Sequence, residues 1–283
     1  MSGLTKEQLA MRLQGIGASE IAAVAGLNPW MSAHDVWLLK RGLAEPAENV
    51  KSRMGNRVEA AVRAEYCEDQ GVEVEDVGTL VHPTKPWMMA TPDGRVKGMR
   101  RLLEIKCVGW RMAFHWGTEV DAIPDYYRPQ VEQQLEVADA DECHVAAWIG
   151  GSDFRIYTIQ RDRELGVILG EIGRKFWHDH VLTGIPPKVD GSEGARRMLE
   201  KLFPRNAKPL LKASPPVAEL GQSLRGARAE LERIEARKLE LENKIIEAIG
   251  DAEGVDADDW RVTYRANKNN KRVFRFVSKE SAA

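Results

Sequence analysis

Residues 93–106 read DGRVKGMRRLLEIK, from Asp93 to Lys106. The last five residues, Leu102-Leu103-Glu104-Ile105-Lys106, form a strand-like apolar run interrupted by two charges. In an extended strand, side chains at i and i+2 share a face. Glu104 and Lys106 therefore point one way and Ile105 the other. Polar residues inside an apolar run need a reason if they are buried. Asp93, within Thr-Pro-Asp-Gly, reads by itself as a turn residue. Joined to Glu104, it makes a carboxylate pair suited to Mg²⁺, with Lys106 placed to hold an attacking water or steady a phosphate. That combination suits phosphodiester hydrolysis.

Other segments supply further candidates. Glu59 lies in MGNRVEAAVRAEY; a helix starting near Asn56 places it in the first turn, with Arg63 one turn on. A helix start also offers free amides to an anion. Gln130, Gln133 and Gln134 lie in YRPQVEQQLEVA, where Gln130 shares a helix side with one of the other two. Amides there can orient water or contact phosphate, and Tyr127 packs or hydrogen-bonds beside them. In RLQGIGASE, Arg12 offers a guanidinium for phosphate and Ser19 a hydroxyl at a helix start. The glycines of that segment lack the spacing of a dinucleotide fingerprint. Arg53 and Arg57 can line the same groove. The plain alternative for each of these residues, taken singly, is a solvated helix face, a turn or a cap.

The chain has 283 residues, 43% of them hydrophobic, which supports one substantial core plus an appendage. The net charge of −2 does not announce a nucleic-acid binder, but the 41 basic residues can still cluster. Cys67, Cys107 and Cys143 are too far apart for a zinc pattern and read as reduced thiols. No signal peptide or uninterrupted membrane span is visible, so a cytoplasmic location is expected, the host cytoplasm if the chain is phage-encoded.

The periodicity predicts helices over 19–25, 33–41, 58–70, 129–138 and 165–181. Strands are predicted within 72–81 and 88–96, and over 102–108, 142–149 and 154–159. This order fits an α/β core with a central mixed sheet flanked by helices. Residues 1–183 form the expected core, 184–220 a linker or peripheral wrap, and 221–283 a helical extension ending in a β-hairpin. Within a helix over 222–249, Leu224, Ala227, Leu231, Ile234, Leu241, Ile245 and Ala248 follow a near-heptad pattern that Lys238 interrupts. Packing on the same chain and a coiled-coil contact with another chain both fit that pattern.

RLQGIGASEIAAVAGLNPW, MGNRVEAAV, TPDGRV, LLEIKC and YRPQVEQQLEVA, in this order across residues 12–150, resemble the YqaJ-like viral recombinase family, related to the phage lambda exonuclease branch. The resemblance implies a PD-(D/E)XK restriction-endonuclease-like core. It puts Glu59, Asp93, Glu104, Lys106 and Gln130 in catalytic roles. The metal set it implies is Asp93, Glu104 and the Ile105 carbonyl, with Glu59 as a further candidate. Arg12 and Ser19 then fall in a 5′-phosphate region, to which Arg53, Arg57, Tyr127, Gln133 and Gln134 are added as DNA-contact candidates. The implied cofactor is Mg²⁺, with Mn²⁺ as substitute and one or two ions per site. The expected activity is 5′→3′ exonuclease action on linear double-stranded DNA, leaving 3′ single strands for recombination. A single-strand-annealing partner and a ring-shaped trimer also follow from the resemblance. A structure-selective or repair endonuclease, and a non-catalytic DNA-binding scaffold, are the alternatives.

Overall fold

The computed structural model describes residues 11, 13–45 and 50–279, with backbone alone for 50–53 and 56. The chain divides into two compact units, Met1–Arg205 and Asn206–Ala283.

The first unit is built on a five-stranded mixed sheet. In chain order its early elements are β1 (Ile16–Gly17), α1 (Ala18–Val24), α2 (Ala33–Lys40) and α3 (Val50–Gln70). Four short strands follow: β2 (Val74–Glu75), β3 (Leu80–Val81), β4 (Met88–Ala90) and β5 (Gly94–Val96). Then come β6 (Arg101–Val108), α4 (Arg128–Ala138), β7 (Glu142–Ile149), β8 (Asp153–Gln160) and α5 (Arg163–Phe176). The main sheet runs β2-β5-β6-β7-β8, and β6 and β7 are its one parallel pair. A parallel pair needs a crossover, and α4 supplies it.

β6 is covered on both faces, which explains its nearly continuous apolar sequence. Leu103 and Ile105 pack with Val62 and Tyr66 of α3. Leu102 packs on the other face with Val131 and Leu135 of α4. Strand alternation therefore turns Glu104 and Lys106 toward α4. A smaller sheet, β1-β4-β3, anchors a third cluster in which Ile21, Trp37, Met88, Leu169 and Phe176 meet.

Several expectations change here. α3 begins at Val50, not near Asn56, so Glu59 lies well inside the helix and meets no free helix-start amides. α1 is preceded by Gly17 as its N-cap, so Ser19 is an exposed helix residue and not the cap. The Glu20 carboxylate instead reaches back to the Gly17 N–H at 2.7 Å. Asp93-Gly94 is not a turn: Gly94 opens β5 and pairs with Leu103. A Cβ on Gly94 would lie 2.3 Å from Val74 Cγ1, so the close approach of β2 requires glycine.

Part of the segment after residue 183 folds as α6 (Glu193–Leu202), capped by Ser192 and packed on α2. Arg197 Nε donates to Asp35 Oδ1 at 2.8 Å across that contact. The second unit holds α7 (Pro215–Ile249), β9 (Gly254–Asp256), β10 (Trp260–Ala266) and β11 (Arg272–Ser278). The long helix starts earlier than its periodicity suggests, with Ser214 at its N-cap and prolines in its first turn. The expected hairpin is present, and β9 extends it to an antiparallel three-stranded sheet.

Candidate active site

The site gathers where β5 ends beside β6. The Asp93 Oδ2 accepts the Ile105 N–H at 2.6 Å, taking the place a longer β5 backbone would occupy. N–H and C=O of one strand residue point to the same side, so the Ile105 carbonyl also faces this edge. Burial, reinforced by Glu104, pushes the Asp93 carboxyl well above the usual carboxylate range.

Glu104 is 4% exposed and is held by three donors. Lys106 Nζ lies 2.5 Å from its Oε1, Gln130 Nε2 donates to the same oxygen at 2.6 Å, and Gln134 Nε2 donates to Oε2 at 2.6 Å. Gln130 also accepts from Lys106 Nζ at 3.1 Å through its Oε1. One amide thus fixes both the carboxylate and the ammonium. Burial works against the Lys106 charge, but Glu104 and Tyr127 outweigh it and keep the lysine protonated. The ammonium sits 4.6 Å from the centre of the Tyr127 ring.

Glu59 approaches from α3. It is half-buried, and burial together with Glu104 raises its carboxyl above the usual value. Its neighbour Arg63 is committed elsewhere: it pairs with Asp76 and donates to the Val74 carbonyl at 3.0 Å.

Glu59, Asp93 and Glu104 influence one another electrostatically, with one ammonium, Lys106, among them. Such a crowding of carboxylate oxygens, one buried and two half-buried, suits a hard divalent cation. The Gln134 Oε1, buried without a hydrogen-bond partner, is a further hard oxygen. Among the described residues, no three or more His, Cys, Asp or Glu side chains are grouped so as to hold a metal ion by themselves.

The remaining candidates divide. Gln133 does not reach this site: it is fully buried, and its Nε2 donates to the Ile16 and Met89 carbonyls at 2.8 Å each. It ties the small sheet to α4, so the expected phosphate contact is replaced by a structural one. Gln134, 1% exposed, positions Glu104 rather than facing a phosphate. Tyr127 stands beside Lys106 as expected. Arg57 and Ser19 are exposed. Arg12 and the Arg53 side chain lie outside the described residues.

The sequence reading missed Tyr126. It packs edge-on between Tyr127 at 4.6 Å and Trp30 at 4.9 Å, and Trp30 is 60% exposed. The adjacent pair Tyr126-Tyr127 was the available signal, but the approach of Trp30 is tertiary. All three cysteines are free thiols.

A mixed sheet with a carboxylate just before β5, an acidic-x-lysine pair on β6 and a glutamine-bearing crossover helix defines a PD-(D/E)XK-type nuclease fold. Solved structures agree at the level of fold. The alkaline exonuclease from Laribacter hongkongensis superposes with a TM-score of 0.54 at 23% identity, covering 70% of this chain and 100% of that one. Residues 7–141 match the YqaJ-like viral recombinase domain. It is 29% identical over 254 residues to the uncharacterized protein YqaJ of Bacillus subtilis (strain 168), covering 87% of this chain and 79% of that protein. It is also 32% identical over 151 residues to the uncharacterized protein R354 of Acanthamoeba polyphaga mimivirus, covering 49% of this chain but 28% of the viral protein. Among the described residues no helix is long and apolar enough to cross a membrane.

Proposed function

We propose that this chain is a divalent-metal-dependent deoxyribonuclease that degrades linear double-stranded DNA from its 5′ end. The observation that carries the reading is the convergence of Asp93, Glu104 and Lys106 on one strand edge, locked by Gln130. A structural ion pair alone would not account for a second, half-buried carboxylate raised by burial and by the first.

Asp93 and Glu104 would hold Mg²⁺, or Mn²⁺ in its place, with the Ile105 carbonyl and Glu59 as further oxygen donors. The bound ion would lower the pKa of a coordinated water and offset charge on the phosphate. Lys106, kept protonated, orients the attacking water and adds positive charge beside the developing phosphorane. Gln130 holds Lys106 and Glu104 in mutual register, and the Tyr127 ring supports the ammonium from one side. The 5′→3′ polarity rests on the family resemblance of the Arg12–Ser19 segment. A Laribacter exonuclease structure contains dAMP, which makes mononucleotides the product class to look for.

The test is cleavage of linear duplex labelled separately at its 5′ and 3′ ends, with and without Mg²⁺, with 5′-hydroxyl ends and closed circles as controls. Mg²⁺-dependent release from the 5′ label, favoured by a 5′ phosphate and absent from circles, supports the assignment. Cleavage of circles moves it to an endonuclease. Metal-independent DNA binding without any product, in folded protein, leaves a scaffold.

A further inference from the structure

α7 is 35 residues long, or about 52 Å at 1.5 Å per residue, and its side chains are almost wholly solvent-exposed. Apolar residues recur along it at positions 217, 220, 224, 227, 231, 234, 241, 245 and 248, alternating steps of three and four except where Lys238 stands. That is a coiled-coil seam with 217, 224, 231, 238 and 245 at a and 220, 227, 234, 241 and 248 at d. Val217, Leu220, Leu224, Leu231, Ile234 and Leu241 are 45–69% exposed. A straight apolar stripe left open on a helix this long calls for a partner.

The flanking charges identify that partner and its direction. The charged g positions are Glu230, Arg237 and Lys244, and the charged e positions are Arg228, Glu235 and Glu242. In a parallel pair, each g residue faces the e residue of the next heptad on the other strand. Glu230 would then meet Glu235 of a second copy, a repulsion repeated by symmetry that cancels the attraction of Arg237 for Glu242. In an antiparallel pair, g faces g and e faces e. Centring the crossing between Leu231 and Ile234 places Glu230 against Arg237 and Arg228 against Glu235, each pair twice. No like charges then meet. Sliding by one heptad either way sets Arg237 against its own copy or Glu230 against its own copy. The favoured register is also the one centred on the helix.

The core layers agree. This register pairs Leu231 with Ile234, Leu224 with Leu241 and Leu220 with Ile245. It also sets Lys238 opposite Ala227, the small residue that leaves room for a lysine stem running out to water. Lys238 already lies 3.5 Å from Glu242 on its own helix. The competing pair on Arg237 is an exposed contact to Glu240 of 2.9 Å, which holds it weakly.

We infer that α7 is a self-association helix that joins two copies of this chain through an antiparallel coiled coil. Each such pairing would tie two copies of the first unit together by connectivity alone. The inference does not depend on the nuclease assignment, because its readout is mass.

The test is sedimentation equilibrium of the full chain and of Leu231→Glu, Glu230→Arg, Arg237→Glu and the double charge swap, each checked for native circular dichroism. The wild type should have twice the mass of Leu231→Glu. Each single charge change should raise the dissociation constant about tenfold, as expected for two reversed flank pairs, and the double swap should restore it. Glu230→Arg is diagnostic, because it would relieve repulsion in a parallel pair and tighten it. Tightening by that variant overturns the inference. So does a mass ratio other than two between wild type and Leu231→Glu, or indifference to the charge changes.

Discussion

The Gln134 side-chain amide donates to Glu104 Oε2 at 2.6 Å, across the interface between the crossover helix and the central strand. It occupies the oxygen opposite the one shared by Lys106 and Gln130. The carboxylate is therefore oriented from the protein interior before any ligand arrives. Gln134→Met keeps the volume but removes the donor. It should cost about 1.5–3 kcal/mol, the range for a hydrogen bond to a buried charge, measured by urea unfolding. Cleavage should fall as well, because Glu104 is freed to turn. Unchanged stability would show that the amide does not hold the carboxylate.

Lys106→Met removes the ammonium while retaining an apolar stem over Tyr127. Glu104 keeps both glutamine donors, so the fold should survive, with native circular dichroism. The cleavage rate should drop at least about a hundredfold, as for loss of one preorganised electrostatic contact. A single-turnover assay at saturating DNA checks it. A variant with normal turnover would remove Lys106 from the chemistry.

Gly94 sits between Asp93 and the β2 side chain of Val74. Gly94→Ala should destabilise the protein by about 1–3 kcal/mol through overpacking. It should also displace Asp93 and reduce cleavage. Adding Val74→Ala should recover much of the stability, because the clash is with that side chain. A double-mutant cycle on thermal midpoints measures the coupling.

Glu132 is 1% exposed; its Oε2 accepts the Asp162 N–H at 3.0 Å, while its Oε1 has no partner. Burial raises its pKa to about 7 from 4.5. The folded state therefore binds a proton more tightly than the unfolded chain. Its contribution to stability is complete below pH about 4.5 and is lost as pH rises through about 7. Glu132→Gln, which keeps an acceptor for Asp162, should gain stability relative to wild type between those limits and hold the gain above them. Neighbouring Glu136 behaves oppositely. Burial alone would raise it, but Arg161 and Lys85 hold it down to about 2, so its contribution is lost as pH falls through that range. Urea midpoints from pH 4 to 9 for wild type and Glu132→Gln test the sign. Parallel curves would mean that Glu132 stays ionised.

Strand alternation around Glu104-Ile105-Lys106 was legible because the period is local: two charges on one face of an apolar run can be read from spacing alone. The helices and strands of the core follow for the same reason, each carrying its own periodicity, cap or breaker. The Asp93 role needed more. Thr-Pro-Asp-Gly looks like a turn until β2 packs on Gly94 and β6 presents an unpaired N–H, and neither is visible in the local sequence. α3 starts six residues before Asn56 because nothing in the sequence around Asn56 breaks a helix, and the helix runs through it.

The three glutamines show where local information ends. Spacing put Gln130 with Gln133 or Gln134 on one helix side, but could not say which neighbour each would meet. Tertiary packing sends Gln130 and Gln134 to Glu104 and Gln133 to the backbone of the small sheet. The sequence by itself determined most of the core elements, the acidic-x-lysine face and the heptad seam of α7, because these depend on periodicities of two and three to four residues. Only the tertiary structure decided which carboxylates share a site and which amides serve it. Those outcomes depend on contacts between residues far apart in the chain, whose geometry is set by how the sheet and helices pack.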